Sequence, residues 1–325
     1  MKGFFDVMIG RNRSRYALGL VVVAMTACSA SGTSFTQPQP LSLATVSERP
    51  DAHAARPKEL VISEYNGSGS PSSYISIYKE KYSLKGTITN SLDRPYSLWY
   101  DHQGNLYAAN YGAADVTEYS KNSDTPSFTY SSGLTCPSGV TTDTKLNVYV
   151  TDSCNGNVTE YNQGTSSISV QCTISYVSAK NVAVDASGDV FVSYQATSGH
   201  GGIAEYVGGL GNGCNATFYQ PINGSQGPPV QPAGLAIDKK GILILCDVMG
   251  ARVDVIPPPY SSISKYISGF SSPERIALDK KQSLLFVTDS GLNETMVLKY
   301  PSGKLKTTIP AAGPGSLWGV AAYPN

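Results

Sequence analysis

Five stretches of the 325-residue chain follow one pattern: SLWYDHQGNLYAAN, GVTTDTKLNVYVTD, NVAVDASGDVFVSY, GLAIDKKGILILCD and RIALDKKQSLLFVTD. The aspartates at their turns, Asp101, Asp143, Asp185, Asp238 and Asp279, recur at spacings of 42, 42, 53 and 41 residues. Each stretch is two short apolar runs about a tight polar turn, which reads as a β-hairpin. A third run follows each (DVTEY, NVTEY, GIAEY, RVDVI, MVLKY) and a weaker fourth closes it (SFTYSS, SISVQCT, CNATFYQ, SISKYIS, KLKTTI). A four-stranded unit of about 42 residues cannot bury both its faces alone, so such units must pack side by side.

The chain ends supply a sixth unit. LWGVAAYPN at the C-terminus matches the first strand of the motif and then stops. LVISEY at 60–65, YISIY at 74–78 and SLKGTIT at 83–89 match the second, third and fourth strands. The expected fold is therefore all-β: a six-bladed β-propeller over residues 60–325, four antiparallel strands per blade. The C-terminal strand is expected to complete the N-terminal blade, closing the ring and leaving no open edge there. A composition of 21 Tyr, 32 Gly and 20 Pro suits twisted strands punctuated by turns.

Residues 1–27 have the form of an export signal: Lys2, Arg11, Arg13 and Arg15, then the apolar run YALGLVVVAMTA, too short to span a bilayer. MTAC at its end resembles a bacterial lipobox, with Met25 where Leu is usual. That resemblance implies lipidation at Cys28, and Ser29 after it implies sorting to the outer membrane. Residues 28–59 are rich in Ser, Thr, Pro, Gln and Ala, and read as a flexible tether. Without residues 1–27 the chain carries 20 basic and 23 acidic residues, a balance that argues against nucleic acid as a partner.

The repeat phrase G-h-A-h-D-x-x-G-x-h-h-V-x-D (h, apolar), clearest at 181–194 and 234–247, resembles NHL-type and gluconolactonase/regucalcin-type six-bladed propellers. The resemblance places ligands at the tunnel mouth, near the start of each innermost strand. That column reads Tyr96-Ser97, Ser138-Gly139, Lys180-Asn181, Ala233-Gly234, Glu274-Arg275 and Trp318-Gly319. Its candidate ligand-binding residues are Tyr96, Lys180, Asn181, Glu274, Arg275 and Trp318, with Trp and Arg the types most often found as binding hot spots. The gluconolactonase-like enzymes hold a divalent metal at this mouth, for which the resemblance offers Asn181 and Glu274. Ser97, Gly139 and Ala233 stand where that family needs oxygen ligands, and Lys180 and Arg275 add positive charge beside a cation that wants six or more oxygens.

His53, His102 and His200 are scattered, no C-x-x-C occurs and no G-x-S-x-G elbow is present. The repeated turn aspartates read as caps that accept backbone N–H bonds. Glu118, Glu160 and Glu205 are expected to face a neighbouring blade or solvent. Of Cys136, Cys154, Cys172, Cys214 and Cys246, the expected disulfide is Cys154–Cys172, with Cys136–Cys154 as the alternative and Cys246 buried. The long Gly- and Pro-rich insertion after Tyr206 is either a binding loop or decoration.

The expectation is a monomeric, non-catalytic propeller without cofactor. It is lipid-anchored to the cell envelope and binds a protein, glycan or small ligand at the tunnel mouth or blade-top loops. The alternative is a calcium-dependent lactonase or hydrolase with a degenerate metal site.

Overall fold

The structure, a computed structural model, describes residues 59–67, 72–174, 177–197, 199–220 and 222–323. The signal, Cys28, His53 and nearly all of the tether lie outside the described residues. Blade one contains β1 (Leu60–Tyr65), β2 (Ser73–Lys79) and β3 (Ser83–Ile88). Blade two is β4 (Pro95–Tyr100), β5 (Leu106–Asn110), β6 (Asp115–Tyr119) and β7 (Pro126–Tyr130). Blade three is β8 (Pro137–Thr142), β9 (Val148–Asp152), β10 (Asn157–Tyr161) and β11 (Ile168–Thr173). Blade four is β12 (Val177–Val184), β13 (Val190–Ala196), β14 (Gly201–Tyr206) and β15 (Thr217–Tyr219). Blade five is β16 (Pro232–Ile237), β17 (Leu243–Asp247), β18 (Arg252–Ile256) and β19 (Lys265–Ile267). Blade six is β20 (Pro273–Leu278), β21 (Leu284–Asp289), β22 (Glu294–Lys299) and β23 (Lys304–Pro310). The last strand, β24 (Ser316–Ala322), hydrogen-bonds antiparallel to β1, so blade one reads β24-β1-β2-β3 and the ring closes as the repeat predicted.

The innermost strands β24, β4, β8, β12, β16 and β20 touch one another in that order around the axis and back to β24. Four of them open on a proline, Pro95, Pro137, Pro232 and Pro273, a strand position where no N–H is needed. Among the described residues six apolar cores lie between blades; the one between blades five and six packs Ile244, Val253 and Leu285 around Ile276.

Two sets of carboxylates hold this frame. The hairpin aspartates cap their turns as expected: Asp101 Oδ1 accepts the N–H groups of Gln103, Gly104 and Asn105, and Asp279 Oδ1 those of Ser283 and Leu284. Asp143, Asp185 and Asp238 do the same in their own turns. A second set, at the end of the second strand in blades one, three, five and six, grips the loop that leads into the innermost strand. Asp152 accepts from Thr135 and Cys136, Asp247 from Val230 and Gln231, Asp289 from Ser271 and Ser272. In blade one that position is Glu64, which accepts from Ala312 and Gly313 just before β24. Glu118, on the face of β6 that packs toward blade three with Val116 and Tyr130, is buried and accepts from the Tyr130 hydroxyl at 2.9 Å.

Glycine sets how closely the innermost strands approach. A Cβ on Gly139 would lie 2.7 Å from the Asn181 Cα, and one on Gly234 2.8 Å from the Arg275 Cα. Both obstacles are backbone, so neither can swing aside. Gly139→Ala is expected to destabilise the domain by about 2 kcal/mol, read as a lowered urea midpoint with unchanged slope.

The disulfides correct the sequence expectation. Cys154 pairs with Cys136, not with Cys172, and Cys172 pairs with Cys214. Pro137 lies opposite Asp152 in the β8–β9 ladder, which brings the residues beyond that end together. Cys172 points instead into the core between blades three and four, near Leu210, so its bond to Cys214 ties the blade-four insertion to blade three. Cys246 is buried and free.

The same insertion is held from blade five. Arg252 donates to the carbonyl oxygens of Gln226, Gly227 and Pro228 and to Asp254 Oδ1, and its guanidinium lies 4.9 Å over the Tyr266 ring. Burial, with the nearby Asp247, lifts the Asp254 carboxyl to about 7 against the pull of Arg252. The folded state therefore holds a proton at this site between about pH 4 and pH 7 that the unfolded chain has lost. Stability falls as pH rises through that window. Asp254→Asn keeps the acceptor for Arg252 and removes the titration, so the loss in urea midpoint between pH 5 and pH 8 is expected to shrink.

Candidate functional site

At the strand-start end of the tunnel the central object is Arg275, on β20 of blade six. Its side chain is 2 % exposed. It reaches across the axis to blade three, where Nη2 donates to the Ser138 carbonyl at 3.1 Å, while Nη1 donates to the Glu274 carbonyl at 2.9 Å. Room for so long a side chain on the axis comes from its level of the ring, where blades one, three and five contribute Gly319, Gly139 and Gly234.

Outward of this bar lies an aromatic row. The guanidinium sits 4.6 Å from the centre of the Tyr96 ring. Tyr96 stacks on Trp318 at 4.4 Å and 29°, and meets Tyr111 at 5.4 Å. Arg94, exposed at the rim, lies 5.4 Å over Tyr111. All three rings are half-buried, each keeping part of its surface open. Glu274 Oε1 accepts from the Ser290 hydroxyl at 3.1 Å, and its Oε2 lies 3.9 Å from Arg275 Nη1. Burial raises the Glu274 carboxyl, with Arg275 opposing the rise. Burial also lowers the Lys180 ammonium, and the positive charge of Arg275 lowers it further. The Tyr96 hydroxyl is raised by burial.

Of the six residues read from the sequence, Tyr96, Trp318, Glu274 and Arg275 are in contact, and Lys180 shares their electrostatics. Asn181 is not part of the row. It is buried on the inner side of Arg275, with Oδ1 accepting the Val182 N–H at 2.7 Å. The residues do not fit the calcium site that the gluconolactonase resemblance implies. Asn181 Oδ1 is engaged by its own strand, and a guanidinium occupies the axis beside Glu274. Among the described residues only Cys136, Asp152 and Cys154 bring three His, Cys, Asp or Glu ligand atoms together, and both cysteines are oxidised. Tyr111 and Arg94 were missed because they lie in the β5–β6 turn and the loop before β4. The loop before β4 is held by Asn110, whose Nδ2 donates to the Ser91 carbonyl from the last position of the repeat phrase.

Inward of Arg275 the tunnel opens into a blind cavity of about 290 Å³, lined by the innermost strands of all six blades. It extends to the opposite end of the ring, where Asp101, His102, Asp279, Lys280 and Gln282 form the rim. Trp99 lines it, 38 % exposed, with Nε1 donating to Thr142 Oγ1 at 2.9 Å.

Residues 134–161, covering the Cys136–Cys154 hairpin, match the NHL repeat. The chain is thus a six-bladed propeller carrying an NHL repeat. No curated protein matches it in sequence. Solved structures share the fold at low identity. A chain of a nidogen/laminin complex aligns with TM-score 0.64 and 14 % identity over 81 % of this chain and 97 % of that one. A streptogramin B lyase aligns with TM-score 0.55 and 14 % identity over 76 % and 80 %. A catalytically inactive virginiamycin B lyase from Staphylococcus aureus, solved with quinupristin, aligns with TM-score 0.52 and 13 % identity over 74 % and 78 %. These likenesses establish architecture alone, since one propeller frame serves unrelated functions.

Proposed function

We propose that this chain is a non-catalytic binding propeller that presents its strand-start face to a glycan, a small ligand or a protein surface. The observation that carries this reading is the Trp318–Tyr96–Tyr111 row, three part-open rings braced from behind by Arg275. Rigid aromatic surface that needs no reordering is what stacking ligands and protein hot spots use. Glu274 and Lys180 beside it supply polar discrimination. The two disulfides, one of them joining adjacent blades, support an exported chain. With Cys28 as its lipid anchor, the domain would sit tethered at the cell envelope.

The test is a ligand screen on a Trp99→Phe background, in which Trp318 is the remaining tryptophan. Soluble glycans, small aromatic compounds and envelope proteins are titrated against its emission. The expected result is a saturable change for one class that weakens at least tenfold in Tyr96→Ala. A ligand held equally well after Tyr96→Ala and Trp318→Ala would move the binding surface elsewhere.

A further inference from the structure

The blind tunnel is separated from the aromatic row by Arg275 and opens at the opposite end of the ring. Each blade gives it an apolar wall residue: Leu98, Val140, Val182, Leu235, Ile276 and Val320. Measured along β20, the run from Arg275 to Asp279 is about 13 Å at ~3.3 Å per residue. A volume of about 290 Å³ stands at the small end of ligand cavities, which run from ~300 to ~1,000 Å³. The tunnel therefore suits a slim molecule of few heavy atoms.

The inner end of this cavity is cationic. Arg275 is buried, and its Nε is a buried donor with no partner. Its ion-pair partner, Glu274, reaches only Nη1, at 3.9 Å. A buried donor on a charged group gains most from an acceptor that brings a full negative charge. At the rim, the Asp101 and Asp279 carboxylates accept the N–H groups of their own turns, and their negative charge favours a ligand's apolar tail there and its carboxylate at the Arg275 end.

We propose that the tunnel is a second binding site, taking a small free carboxylic acid with an unbranched apolar tail, its carboxylate on Arg275 and its tail toward the Asp101–Asp279 rim. The site shares Arg275 with the aromatic row but opens on the other side of the disk. Recognition divides between the positive charge of Arg275 at the closed end and contact along the apolar walls.

The experiment uses Trp318→Phe, in which Trp99, a wall residue of the tunnel, is the only remaining tryptophan. Octanoate, octanol and octylamine are titrated against its emission at pH 7.5. The expected result is saturable binding of octanoate, at least tenfold tighter than octanol, with octylamine weaker still. Arg275→Met is expected to abolish the preference for octanoate over octanol. The ligand series on the parent decides the matter even if that variant does not fold. Equal affinity for the three ligands, or no saturable change up to millimolar octanoate, overturns the proposal. Either result leaves the aromatic-row reading standing, since that site reports through Trp318.

Discussion

A chain ending at Gly315 is expected to lose cooperative folding altogether. Its missing strand, β24, is the innermost strand of blade one and comes from the opposite end of the sequence. Its removal takes Leu317, Val320 and Ala321 out of the cores on both sides of that blade and leaves β1 as an open edge. Burial of a large aliphatic side chain contributes ~1.5–3 kcal/mol, and the strand also carries the ladder to β1 and the Thr288 hydroxyl bond to the Trp318 carbonyl. Together these approach the whole stability of an ordinary domain, roughly 5–15 kcal/mol. The measurement is thermal unfolding by near-ultraviolet circular dichroism. The full chain should give one sharp transition and the truncated chain none. A sharp transition in the truncated chain would show that blade one closes without its C-terminal strand.

Glu64→Ala should be the most damaging single substitution in the ring. The Glu64 side chain is fully buried and accepts four hydrogen bonds, from Tyr74, Ser76 and the N–H groups of Ala312 and Gly313, at 2.7–3.2 Å. Two of these donors belong to β2, the third strand of blade one, and two to the loop that delivers β24. Truncation strands all four in a site with little water, at an expected cost of about 4 kcal/mol. Urea unfolding should show a lowered midpoint with unchanged slope. Combined with Tyr74→Phe, the loss should be less than additive, because the two residues share one bond. A loss under about 1 kcal/mol would mean that the latch is carried elsewhere.

How much of this was legible in the sequence depends on how local the chemistry is. The turn aspartates accept bonds from residues two to five positions onward, so a hairpin repeat exposes their role directly. Ring closure was legible for a similar reason: a repeat cut in two leaves matching halves at the chain ends. The disulfides were not. Cys154 stands 18 residues from both Cys136 and Cys172, and only strand register, with Pro137 opposite Asp152, decides between them. Glu64 was hidden by a change of residue type. Its repeat equivalents are Asn110, Asp152, Asp247 and Asp289, and its function appears only once second-strand ends are aligned.

The candidate site divides along the same line. Tyr96, Glu274, Arg275 and Trp318 of the strand-start column lie together, because the repeat fixes which residues share a level of the ring. The column could not show that Arg275 would lie across the axis and sort the rest into two compartments. That outcome depends on glycine at the same level in three other blades, and a strand glycine by itself has several meanings. Asn181 consequently falls in the tunnel, on the inner side of the bar, apart from the row it was grouped with.

The central claim is that the strand-start face binds and does not carry a metal-dependent reaction centre. The most direct measurement is the divalent metal content of residues 57–325, purified after export so that both disulfides form, followed by unfolding with and without added calcium. The account predicts no stoichiometric metal and no shift in midpoint on adding millimolar calcium. One tightly held equivalent of calcium, lost in Asn181→Ala or Glu274→Gln, would contradict it and place a metal centre where Arg275 is now assigned the axis.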